Sequence, residues 1–222
     1  MVPDNPLMRM TELLFAVGGS DPKAFSTIGS AIAGAHEGDV IQIPAGKYTE
    51  SISLPAGIEL RPMSPGTVTL VAPAGAEDWT AITATGARST IRGLRIQGTT
   101  ASPMSRGIDV SGDGVVVDDV TFDGVISVGV NVAGTNAVVR ASRFEQLAGI
   151  GVRLEADGAS LVQNVFKAAS STAAPAVDAI GGVTATFDSN VFKHFPRVVE
   201  PESRTESLIG RDNFVIVATP KR

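Results

Sequence analysis

Val117-Asp-Asp-Val-Thr-Phe122, Val139-Arg-Ala-Ser-Arg-Phe144, Leu161-Val-Gln-Asn-Val-Phe166 and Phe187-Asp-Ser-Asn-Val-Phe192 align without a gap. An earlier relative is Ile91-Arg-Gly-Leu-Arg-Ile96. The closing residues Ile96, Phe122, Phe144, Phe166 and Phe192 lie 26, 22, 22 and 26 positions apart. A second series runs ahead of the first: Ala81-Ile-Thr-Ala84, Gly107-Ile-Asp-Val110, Gly129-Val-Asn-Val132, Gly151-Val-Arg-Leu154 and Ala176-Val-Asp-Ala179. Its central residues are spaced 26, 22, 22 and 25 apart. Two registers sharing one period mean one structural unit repeated. Apolar residues mostly alternate within each unit, which is the period of a strand. Gly, Asp and Asn fill the gaps, as in Ser111-Gly-Asp-Gly114, Ala133-Gly-Thr-Asn136 and Ala156-Asp-Gly158, and these are turn residues. A coil of this length built from short strands is that of a right-handed parallel β-helix. A leucine-rich repeat of the same period would show Leu-x-x-Leu-x-Leu, which the chain lacks.

The first half is less regular but follows the same logic. Strand-like runs at Val40–Ile43, Ser51–Leu54, Ile58–Arg61 and Val68–Val71 are separated by Pro and Gly. Ahead of them, Phe25, Ile28, Ala31, Ile32 and Ala35 keep helical spacing, with Asp21 as cap and Pro22 in the first turn. This predicts a helix over 22–35, lying across the bare end of the solenoid. Residues 1–12 are read as a flexible leader, 13–217 as one β-helix and 218–222 as a tail. The polar run from Glu200 to Arg211 predicts no helix. A last strand follows at 214–217, and the uncapped C-terminal end would allow self-association.

Bulk properties narrow the function. The 222 residues are 43% hydrophobic and 18% charged, a packed globular composition. Net charge is −5 and no Lys/Arg block occurs, which argues against a nucleic-acid partner. There are no cysteines, so disulfides, thiolate metal sites and a Cys nucleophile are excluded. His36 and His194 sit too far apart in the repeat to share a metal. No apolar run approaches a membrane span and no signal-peptide core is seen, so a cytoplasmic protein without a membrane partner is the expectation.

Phe25-Ser-Thr-Ile28, Ala31-Ile32, Gly38-Asp39, Ile41-Gln-Ile43, Gly46-Lys-Tyr48 and Glu50-Ser-Ile52 resemble the opening of pectin-lyase-like β-helix proteins. The resemblance implies a capping helix followed by a first coil. It implies no single activity, because esterases, lyases and non-enzymatic proteins share that opening. The Gly-x-x-Asp-Phe-Ile-Phe-Gly motif of pectin methylesterases is missing. So are the Asn-Thr-Asp and Gly-His-Gly motifs of polygalacturonases, and the Arg-x-Pro-x-x-Arg setting of pectate lyases. Of these signatures only an Asp-Asp pair, Asp118-Asp119, is present.

Residues at equivalent positions of successive coils stack about 4.8 Å apart, so outward residues form rows. Thr83, Asp109, Asn131, Arg153 and Asp178 form one, read as the candidate ligand-binding surface. Arg92, Asp118, Arg140, Val162 and Asp188 form a second. A turn between Val117 and Val120 would set both valines inward and Asp118 outward, giving an Arg–Asp–Arg ladder. Val120, Ser142, Asn164 and Asn190 form a third, read as a structural amide ladder. Gln97, Asp123, Glu145, Lys167 and Lys193 form a fourth, read as a solvated face. The expectation is a non-catalytic scaffold that binds protein or carbohydrate, without metal or cofactor. The alternative is a small lyase or hydrolase of acidic polysaccharide, with Asp118, Asp119, Arg140 and Arg143 as its catalytic set and calcium entering only with the lyase.

Overall fold

The computed structural model describes residues 12–14, 25–169, 173–210 and 212–216. The chain winds as a right-handed parallel β-helix with three sheets, here called faces 1, 2 and 3 in the order a coil meets them. Face 1 has eight strands: Glu12–Leu14, Val40–Ile43, Glu59–Pro62, Thr90–Arg92, Val116–Asp118, Val138–Arg140, Ala159–Val162 and Ala185–Asp188. Face 2 also has eight: Gly46–Tyr48, Val68–Val71, Arg95–Gly98, Thr121–Gly124, Arg143–Leu147, Val165–Ala168, Val191–Lys193 and Phe214–Ile216. Face 3 has seven: Ile52–Leu54, Thr80–Ala84, Met104–Val110, Ile126–Val132, Ile150–Leu154, Val177–Ala179 and Val199–Glu200. Each coil adds one parallel strand to every face.

The repeat anchors are the centre of the core. Phe122, Phe144, Phe166 and Phe192 are fully buried. Their rings stack at 4.8, 4.4 and 4.9 Å between centroids and within 12° of parallel. Each aromatic pair contributes about 0.5–1.5 kcal/mol beyond the area it removes from water. Aliphatic columns on either side complete a single continuous core, for example Ile91, Val117, Val139 and Leu161 behind face 1.

The turn between faces 1 and 2 explains why strict alternation fails there. Gly93, Asp119, Ala141, Gln163 and Ser189 all have φ between 50° and 68°. A left-handed residue reverses the side-chain sequence, so Val117 and Val120 both point inward. For a non-glycine residue this conformation costs about 1–2 kcal/mol. The amide ladder next to it offsets that cost. Val120 N–H donates to Ser142 Oγ at 3.2 Å, Ser142 N–H to Asn164 Oδ1 at 3.0 Å and Asn164 N–H to Asn190 Oδ1 at 2.9 Å. Asn190 N–H continues the series to Asn213 Oδ1 at 2.9 Å, a rung the sequence reading did not include. Asn164 and Asn190 also donate through Nδ2 to the carbonyls of Val139 and Leu161. Ser142, Asn164 and Asn190 are fully buried, and a satisfied network is what burial there requires.

Both ends differ from expectation. The N-terminal helix is Ile28–Ala33, shorter than the predicted span. Its N-cap is Thr27, which forms a capping box with Ser30, and Glu50 from the first coil accepts the Ile28 and Gly29 N–H groups at 3.1 and 3.0 Å. Those bonds fix the start at Ile28; the expected cap Asp21 and Pro22 lie outside the described residues. Glu12 pairs with Val40 on face 1; residues 1–11 and 218–222, read as leader and tail, lie outside the described residues. The larger correction is at the C-terminus. Glu202–Arg204 forms a 3-10 turn and Thr205–Ile209 a short α-helix, where none was expected. Leu208 and Ile209 are buried, and the helix packs on Ala185–Asp188, the last strand of face 1. The two apolar side chains at the end of an otherwise polar run are enough to seat it.

Candidate functional site on face 3

The outward residues of face 3 fall into two columns. One is Ser53, Thr83, Asp109, Asn131, Arg153, Asp178 and Glu200, fixed by the strand register. The row expected from sequence is therefore a physical ladder, and it is cross-linked. Asn131 Nδ2 donates to Asp109 Oδ1 at 2.9 Å, and Arg153 Nε donates to Asp178 Oδ2 at 3.0 Å. Thr83 is half-buried and stands between Ser53 and Asp109.

The second column is Thr80, Arg106, Val128 and Ile150. Sequence reasoning missed it. Between the columns stand Gly107, Gly129 and Gly151, followed by inward Ile108, Val130 and Val152. A Cβ built on any of the three glycines would point at a core phenylalanine: 2.8 Å from Phe122, 2.9 Å from Phe144 and 2.8 Å from Phe166. Two successive residues thus face inward, and the outward positions come three apart instead of two. The glycine repeating every 22 residues was the available signal, since a strand interior keeps glycine where something approaches closely.

Two polar atoms in this strip lack partners. Asn131 is 4% exposed, and its Oδ1 is buried with no hydrogen-bond donor within reach. Arg106 Nε is likewise buried and without an acceptor. Leaving a buried polar group unsatisfied costs about 1–3 kcal/mol, so these atoms mark places where a ligand group or water would be favoured. Beside them, Val125, Ile126, Ser127, Ala148, Gly149, Ile150 and Ala174 line a shallow, mostly apolar recess where the chain enters face 3. The strip therefore offers three carboxylates, an amide oxygen, two guanidinium groups and an apolar step within one surface.

The four residues of the catalytic alternative are not gathered in one place. Asp118 lies on face 1, where Arg92 Nε approaches Oδ2 at 3.1 Å and Arg140 donates to it at 2.9 Å. Glu59 extends the ladder through Arg92 at 3.9 Å. Asp119 occupies the exposed left-handed turn position. Arg143 is exposed on face 2. Among the described residues no cluster of three or more His, Asp or Glu side chains could hold a metal ion, and no helix is long and apolar enough to cross a membrane. Trp79 packs against the core, and its carbonyl accepts the Ser105 N–H at 3.0 Å.

The turns between faces 3 and 1 carry two further carboxylates with a purely local role. Asp113 Oδ1 accepts the Thr135 N–H and Oγ1–H at 2.9 and 2.8 Å, and Asp157 Oδ1 accepts the same two groups of Thr184. The Thr135 hydroxyl and then its amide hold the Asp113 carboxyl below its ordinary pKa, and the Thr184 amide and then its hydroxyl do so for Asp157.

No family model and no curated protein matches the chain in sequence. Solved structures with a similar backbone course include a pectin methylesterase variant in complex with a hexasaccharide, with 13% identity, a TM-score of 0.46 and coverage of 84% of this chain and 79% of that one. An alginate lyase from Paenibacillus sp. has 14% identity and a TM-score of 0.36, with 86% and 94% covered.

Proposed function

We propose that the protein is a non-catalytic β-helix module that binds a carbohydrate chain along face 3. The observation that carries this reading is the pair of buried, unpartnered atoms, Asn131 Oδ1 on the strand beside Asp109 and Arg106 Nε three residues before Asp109 on its own strand. One needs a donor and the other an acceptor. A hydroxyl supplies both from a single group, and a sugar presents several in a row. The ladder Asp109–Asn131–Arg153–Asp178 repeats polar groups along the solenoid axis, which suits an extended polymer. The apolar recess at Ile126 and Ile150 suits the carbon face of a ring.

The test is retention on a panel of immobilised neutral and acidic polysaccharides. Wild-type protein should be retained by at least one, and Asn131→Ala and Arg106→Ala should each weaken that retention about tenfold, the loss of one hydrogen bond to a buried or charged group. Retention that is indifferent to both substitutions would sink the assignment to face 3. The same polysaccharides, assayed with and without calcium for ultraviolet-absorbing unsaturated uronates, should give no steady rise. A rise abolished by Asp118→Ala would replace this reading with the lyase.

A further inference from the structure

The two ends of the solenoid are unlike. At the N-terminal end the helix Ile28–Ala33 packs on Val40–Ile43 and Ile52–Leu54. At the C-terminal end the short helix seats on face 1, but the last strand of face 2, Phe214–Ile216, is an edge strand with all three residues exposed. Phe214 is 68% exposed, and Val215 and Ile216 are 47% exposed each. An exposed apolar edge invites another strand.

The hydrogen bonding of this strand says which of its groups are free. Phe214 N–H donates to Asn190 O at 2.8 Å and Ile216 O accepts His194 N–H at 2.8 Å. In a strand the N–H and C=O of one residue point to the same side, and the next residue points to the other. Phe214 and Ile216 therefore spend their main-chain groups on Val191–Lys193, and Val215 turns its N–H and C=O away from the solenoid. A single central residue presenting both groups is self-complementary. Two such strands related by a two-fold axis through Val215 form an antiparallel pair in which the two Val215 residues exchange both hydrogen bonds.

We propose that the protein forms a symmetric dimer through this edge, tail to tail, with the two-fold axis at Val215. The same operation covers every exposed apolar side chain of the strand. Phe214 comes opposite Ile216 of the second copy on the outer surface, and Ile216 opposite its Phe214. Val215 shares the inward column of Phe192, so the two Val215 side chains meet over the open end of the phenylalanine stack. The contact uses the same edge of both copies, so it closes at two, as isologous interfaces do.

Three measurements test this on the full chain. Sedimentation velocity over a hundredfold concentration range should show a monomer–dimer equilibrium and nothing larger. Val215→Pro removes only the outward N–H, a position where an edge strand tolerates proline; it should weaken dimerisation at least tenfold while leaving the circular dichroism spectrum and melting temperature within error. Phe214→Lys, at an already exposed site, should do the same and guards against a proline that disturbs the strand. Because the sequence has no cysteine, Val215→Cys gives a single thiol. It should be trapped as a disulfide-linked dimer under mild oxidation, whereas Ser53→Cys should not. Monomer at every concentration, species beyond a dimer, or dimerisation unaffected by both Val215→Pro and Phe214→Lys would each overturn the proposal.

Discussion

The ring of Phe144 occupies the space that a side chain on Gly129 would need. A Cβ at Gly129 would lie 2.9 Å from Phe144 Cε1 and 2.6 Å from the Gly151 carbonyl oxygen. The same relation joins Gly107 to Phe122 and Gly151 to Phe166, so the aromatic stack and the glycine row are two sides of one fit. Gly129→Ala should destabilise the protein by about 1–3 kcal/mol, the usual cost of overpacking a filled core. Gly182→Ala, with no atom within 4 Å of its Cβ, should stay within about 0.5 kcal/mol of wild type. Urea denaturation of the two variants makes the comparison.

Removing the other partner should cost more. Phe144 is fully buried between two stacked rings. Phe144→Ala should lower stability by about 3–5 kcal/mol, the range for a phenylalanine cavity. Phe144→Leu keeps part of the volume and should fall between that variant and wild type in the same denaturation series.

The amide ladder predicts a loss out of proportion to the atoms removed. Asn164→Ala strips the acceptor from Ser142 N–H and the side-chain donor from Val139 C=O, both inside the core. Two buried groups left unpaired at about 1–3 kcal/mol each give an expected loss of about 2–6 kcal/mol. Amide hydrogen exchange at Ser142 should accelerate in this variant before exchange at distant coils does.

Acid should weaken the turns between faces 3 and 1. Asp113 and Asp157 have pKa values lowered in the folded protein, against about 3.9 in an unfolded chain. The unfolded state therefore binds protons more readily, and stability rises with pH through this window. The contribution is fully present above about pH 4–5 and is lost as pH falls through the folded-state values. Replacing both aspartates with asparagine should flatten the pH dependence of the melting temperature below pH 5 and leave it unchanged at pH 7.

Breaking the face 1 ladder should be nearly silent. Arg140 is about half exposed, and Arg92 stays beside Asp118 when Arg140 is removed. Arg140→Ala should cost less than about 1 kcal/mol and leave polysaccharide retention at the wild-type level.

The coil, its length and the outward rows were legible because Ile96, Phe122, Phe144, Phe166 and Phe192 recur every 22 to 26 residues and the strands between them mostly alternate. A turn between Val117 and Val120 was legible too, since both valines could reach the core only if the chain turned there, but its left-handed residue, Asp119, was not. The Arg106–Val128 column was hidden because the inward glycines look like turn residues in a one-dimensional pattern. Asn213 lies 23 residues after Asn190, within the repeat spacing, and was hidden because the Glu200–Arg211 run before it reads as a polar excursion outside the coils. That helix itself was read as polar chain, since only Leu208 and Ile209 anchor it. The capping helix was overextended because helical spacing of apolar residues does not say where the first turn finds its acceptor, and Glu50, a partner 22 positions away from Ile28, supplies it.

Nothing in the stacked rungs distinguishes the third neighbour of a strand from its second. Excising residues 138–159, one 22-residue coil, would bring Val116 onto Ser160, Phe122 onto Phe166 and Asp118 onto Val162, each a partner of the type already tolerated in the intact chain. Duplicating the same segment would repeat existing contacts without inventing one. The length of this molecule is therefore an adjustable dimension, graduated in steps of one strand spacing. A gene that gained or lost a coil would yield a longer or shorter rod with its ends unchanged.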